Sequence, residues 1–88
     1  MAEKTMKLEI VAPDGIFYTG EAAMVELNTT EGEIGVYPDH IPMTMIVAPG
    51  VLTITEVTGK KQANLSSGFM EIQKDQMTIL AEKIEWSK

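Results

Sequence analysis

Glu31-Gly32-Glu33-Ile34-Gly35-Val36-Tyr37-Pro38-Asp39-His40-Ile41-Pro42 is the stretch whose reading decides the fold. Two glycines and two prolines in so short a span exclude a helix. Gly32 and Gly35 loosen the backbone, while Pro38 and Pro42 fix φ and remove N–H donors. Tyr37 and Ile41, each before a proline, are pushed toward extended geometry. The stretch therefore reads as a brief strand that ends in a rigid loop carrying a carboxylate, an imidazole and a phenol. Glu31, Glu33 and Asp39 make it acidic, with Glu26 just outside. Shaped loops on β scaffolds often carry function. The alternative is a structural corner in which His40, the sole histidine, caps a backbone carbonyl.

On either side of this stretch the chain alternates with the period of a half-buried strand. Met6, Leu8 and Ile10 interleave with Lys7 and Glu9, and Pro13-Asp14-Gly15 then turns the chain. Ile16 to Thr19 is a short β-prone run, and Ala23, Val25 and Leu27 alternate with Met24, Glu26 and Asn28. Met43 to Val47 lies between prolines and reads as a strand, and Pro49-Gly50 reads as a type II turn. Val51 to Val57 is rich in β-branched residues, and Thr58-Gly59-Lys60-Lys61 reads as a hairpin turn. Ala63 and Leu65, then Met70 and Ile72, then Met77, Ile79 and Ala81 mark three further strands, the last two separated by a turn at Lys74-Asp75. The segment from Ala81 to Lys88 continues the last strand or begins a helix, and its Trp86 either covers a sheet edge or points at a partner. Eight or nine short strands without a helical repeat predict an all-β fold, two antiparallel sheets packed face to face.

Composition narrows the function. The chain has 88 residues, enough for one domain, with 44% apolar residues to form a core. It has no cysteine, so disulfides, thiolate metal sites and cysteine nucleophiles are excluded, and a reducing compartment such as the cytoplasm fits. Seven Lys+Arg against thirteen Asp+Glu give a net charge of −6, which excludes the basic footprint of a nucleic-acid binder and argues against adhesion to anionic lipid. No apolar run is long enough to span a bilayer as a helix.

Little catalytic chemistry is encoded. His40 could act with Asp39 or Glu33, yet neighbours on a strand point to opposite faces, so Asp39 and His40 share a task only if the loop curls. There is no arginine to clamp a phosphate, no nucleophile elbow around Ser66, Ser67 or Ser87, and no phosphate loop after Gly32 and Gly35. A single histidine among scattered carboxylates makes a poor metal site. Neither a catalytic group, a metal nor a cofactor is expected. A β module that binds something remains, with Phe17, Tyr18, Ile41 and Met43 as candidate anchors or as ordinary rim packing.

The runs Leu8-Glu9-Ile10-Val11, Glu31 to Pro42, Pro49-Gly50 and Leu65-Ser66-Ser67-Gly68-Phe69-Met70-Glu71-Ile72 closely resemble the epsilon subunit family of F-type ATP synthases, with its chloroplast epsilon and mitochondrial delta counterparts. The resemblance extends from Met6 to about Glu82. It implies a two-sheet antiparallel β-sandwich of about ten short strands in a single domain over 1–88. It also implies a non-catalytic rotor subunit of the central stalk that binds the gamma subunit and rests on the c-ring, helping couple proton translocation to ATP synthesis. The expected place is the cytoplasmic face of the cell membrane, peripheral, without lipid insertion. By resemblance Glu33 and His40, flanked by Glu31 and Asp39, fall at the c-ring contact, and Ala12, Phe17, Ile41 and Met43 on the gamma-facing side.

Asp39 and Ser67 stand where many members have glycine; Asp tolerates positive φ better than most residues. The sequence ends at Lys88 and encodes nothing of the family's two-helix C-terminal domain, so autoinhibition and nucleotide binding are not expected of it. Two other readings compete: a stand-alone sandwich that binds a ligand or a protein, and a small metal-assisted enzyme built on His40 with Glu33 or Asp39.

Overall fold

Alternating burial along nearly every strand builds the molecule, seen here in a computed structural model that describes residues 4–87. Met1 to Glu3 and Lys88, the ends of the expected 1–88 domain, lie outside the described residues. Ten strands follow in order: β1 Met6–Ala12, β2 Gly15–Ala22, β3 Met24–Thr29, β4 Gly32–Val36, β5 Met43–Val47, β6 Gly50–Glu56, β7 Gly59–Leu65, β8 Gly68–Ile72, β9 Gln76–Ala81 and β10 Ile84–Trp86. The segment left open between strand and helix is thus a separate strand, β10, paired with β7. The β6–β7 hairpin turns at Val57-Thr58, two residues earlier than expected, because Glu56 pairs with Gly59.

The ladder runs β10-β7-β6-β3-β5-β8-β9-β1-β2, with β4 on the other side of β3. A single bridge, Thr29 to Val47, joins β3 to β5 and divides the ladder into two five-stranded halves. One half is β4-β3-β6-β7-β10 and the other β5-β8-β9-β1-β2. Strands that pass between sheets through short bends make the corners of such sandwiches. Here β2 runs almost directly into β3 and β5 into β6. All pairs are antiparallel except β1 with β9, which are parallel.

The core lies between the halves. Leu8, Ile10, Val25, Leu27, Leu52, Ile54, Met70, Ile72, Met77 and Ile79 are fully buried, each side chain contributing about 1.5–3 kcal/mol on leaving water. Apart from Leu52 and Ile54, which lie in the β-branched run, these are the apolar positions that the alternation marks. Gly68 is required by close approach: a Cβ there would run into the backbone carbonyl of Leu80 on β9.

Thr29, the buried polar residue of β3, pins the β3–β4 turn. Its hydroxyl donates to Gly32 O at 2.8 Å and accepts from Glu31 N at 3.0 Å, while Gly32 takes φ 116°.

Candidate functional site

The loop from Tyr37 to Pro42 joins the two sheets. Asp39 sits at φ 67°, the left-handed region that Asp enters more readily than most residues. Its N–H donates to Lys74 O at 3.1 Å and its carboxylate pairs with the Lys4 ammonium. That hydrogen bond holds the Asp39 carboxyl below its usual range and the Lys4 ammonium above its own. His40 donates from Nδ1 to Ile41 O at 2.7 Å, a contact that fixes the proton on Nδ1. The structural-corner reading of His40, as a cap on a backbone carbonyl, is therefore the arrangement found. Among the described residues its ring addresses no carboxylate, and no three His, Asp or Glu side chains are placed to hold a metal ion.

The four acidic-loop residues do not form one cluster. Glu31 stands at the tip of the β3–β4 turn, Glu33 lies on the outer face of β4, and Asp39 and His40 follow the far end of that strand. Glu33 has Glu26 as its diagonal neighbour across the pair Asn28–Glu33. Glu31 borders a groove lined also by Thr30, Met43, Met45, Ile46 and Phe69.

The four residues expected on the gamma-facing side are likewise dispersed. Ile41 is 78% exposed and Met43 is exposed at the start of β5. Ala12 is half-buried at the end of β1. Phe17 is the extra residue of a bulge in β2, where the pairing slips between Ile10–Tyr18 and Val11–Ile16. Its ring stacks on Trp86 at 4.6 Å. Trp86 also meets Tyr18 edge-on at 5.9 Å, and Lys61 lies 5.9 Å from both the Tyr18 and Trp86 rings. Tyr18 donates to Glu56 at 2.5 Å, and burial, then Glu56, push its phenol above the usual range. This cluster clasps β2 to β6 and β10 along one seam of the sandwich, so Trp86 covers a sheet edge.

Sequence reasoning missed an apolar row on the surface. On the outer face of the second half-sheet Ile46 pairs with Phe69, Phe69 with Leu80, Leu80 with Val11 and Val11 with Ile16. The row crosses five strands, with Ile46 58%, Phe69 44%, Leu80 49% and Ile16 64% exposed. The next row is Thr44, Glu71, Thr78, Glu9 and Thr19. An apolar stripe beside a polar one has the anatomy of an interface core and rim. The signal was in the sequence: Phe69 and Leu80 fall on the polar parity of their strands.

These features define a class: a small all-β sandwich with an apolar stripe on one face and shaped loops at its ends. The chain belongs to the ATP synthase delta/epsilon chain β-sandwich domain family, whose model matches residues 5–87. Among relatives, it is 40% identical over 81 residues to the ATP synthase epsilon chain of Alkalihalophilus pseudofirmus, covering 92% of this chain and 61% of that one. Against the ATP synthase epsilon chain of Corynebacterium glutamicum the identity is 43% over 89 residues, covering 99% and 70%. A chain of the Euglena gracilis mitochondrial ATP synthase OSCP/F1/c-ring assembly superposes with a TM-score of 0.87 at 25% identity, covering 93% of this chain and 53% of that one. The chain thus spans about three-fifths of the length of the first of these relatives, 61%.

Proposed function

We propose that this chain is a rotor subunit of an F-type ATP synthase, docking on the gamma subunit and on the c-ring at the cytoplasmic face of the membrane. It does no chemistry of its own and transmits torque between a proton-driven ring and gamma. Support comes from the family and from the likeness to a chain in an assembly described as containing F1 and a c-ring. The observation that carries the docking reading is the exposed row Ile46–Phe69–Leu80–Val11–Ile16.

In this reading the row is the centre of the gamma-facing surface. Met43, at the start of β5, lines one groove with Ile46 and Phe69, Ile41 lies just before that strand, and Ala12 follows Val11 at the end of β1. Phe17 contributes through the bulge and the Trp86 stack that shape the β2 end. Glu31 and Glu33 offer carboxylates to basic or amide groups of the c-ring loops. Asp39 and His40 hold the shape of the loop beside them. Charged rim contacts of this kind set register and specificity more than affinity.

Reconstitution tests the proposal. Added to a complex stripped of its own epsilon chain, this protein should restore proton-coupled ATP synthesis and co-purify with gamma and the c-ring. A complex that stays uncoupled and recovers none of the added chain would refute it.

A further inference from the structure

The two open sides of the sandwich are treated differently. One is clasped by Phe17, Trp86, Tyr18 and Glu56. On the other, β4 pairs with β3 alone among the described residues, and Gly32, Glu33 and Gly35 are exposed. The hydrogen bonds of β3 reveal which way the backbone of β4 faces. Asn28 O accepts from Ala48 N at 2.9 Å and Thr30 N donates to Ile46 O at 3.1 Å, so the even-numbered groups at this end of β3 point away from β4. In an antiparallel pair, residues opposite such groups also point away from their partner. Those residues are Glu33, opposite Asn28, and Gly35, opposite Glu26. Their N–H and C=O groups therefore line an open sheet edge.

We infer that the outer edge of β4 accepts an extended segment of a partner polypeptide, one that alternates basic and apolar residues, as an added strand. Main-chain bonds to Glu33 and Gly35 supply the register, as in other strand additions. Side-chain parity supplies the chemistry. Glu33 and Glu26 stand on the outer face beside the edge, so the outward residues of the incoming strand are basic. Ile34 and Val36 face the core, so its inward residues are apolar. Among the described residues β4 carries no proline, lysine or bulge, devices that blunt natural edges. The inference stands whether or not the partner is the gamma subunit.

The probe is an acetylated, amidated peptide of alternating lysine and valine, about seven residues long, the length of an ordinary strand. In an amide NMR titration, its binding should perturb Glu33 to Gly35 most and slow hydrogen exchange at the Glu33 and Gly35 amides. N-methylation of the alternate peptide amides should weaken binding at least about tenfold, as loss of main-chain bonds does. Gly35→Pro should do the same, because it deletes an outward N–H, and the nearest atoms to a Cβ there lie at an ordinary 3.9 Å. Glu33→Lys should weaken binding while leaving that N–H in place. Failure of the unmethylated peptide to bind would overturn the inference. So would equal binding of the N-methylated peptide, or of a peptide with its lysines and valines in separate blocks, since either would mean attraction by charge alone. The N-methyl comparison needs no variant and decides the matter if Gly35→Pro does not fold.

Discussion

At the scale of single residues, backbone position sets the sharpest expectations. Gly68→Ala forces a Cβ against Leu80 O and should destabilise by about 1–3 kcal/mol in urea titrations, since the obstruction is backbone and cannot rotate away. Asp39→Gly should change stability by less than about 1 kcal/mol, the eased φ offset by greater freedom of the unfolded chain. Asp39→Val should cost about 1–2 kcal/mol, because a β-branched side chain at φ 67° is strained. The Lys4–Asp39 pair carries a pH signature. The lowered carboxyl contributes stability above its unfolded value and loses it as pH falls through the folded one. The raised ammonium contributes below its unfolded value and loses it as pH rises through the folded one. Lys4→Ala should therefore leave the Asp39 carboxyl to titrate nearer the ordinary carboxylate range, read by carbon-detected NMR; an unmoved titration would mean the pair does not form in solution.

At the scale of elements, the clasp between β2, β6 and β10 is held by side chains rather than by ladder bonds, because β10 is only three residues long. Tyr18→Phe removes the hydrogen bond to Glu56 and should cost about 1 kcal/mol. In the intact protein the Tyr18 phenol is raised, so stability should hold below the usual tyrosine range and fall as pH climbs above it. Alkaline denaturation followed by the single tryptophan checks this, and Tyr18→Phe should flatten that part of the profile. The strands were legible in the sequence because period-two burial is a local property: Leu8, Ile10, Val25, Leu27, Ile72 and Ile79 are where alternation puts them. Two features were not legible. The parallel pairing of β1 with β9 is a long-range choice that no turn signals. The destination of Trp86 depended on a bulge at Phe17 that lets the distant Trp86 ring meet those of Phe17 and Tyr18. Within the loop, the prolines announced rigidity, but not that Lys4 and Lys74 would hold Asp39 while His40 turned onto the Ile41 carbonyl.

At the scale of the whole molecule, one face of the sandwich is proposed to be gripped by gamma. Alternating strands normally reserve their second parity for polar groups, and here Ile46, Phe69, Leu80 and Ile16 break that rule in register across one sheet. Their exposure contributes little to the fold, so Phe69→Glu should leave urea stability within about 0.5 kcal/mol of the original. Binding of purified gamma subunit, measured by calorimetry for the original protein and for Phe69→Glu, tests the claim most directly. A saturable complex is expected for the first and at least about a tenfold loss for the second, as for any charge placed at the centre of an apolar interface. Equal affinity of the two proteins for gamma, or no complex with either, would contradict the claim.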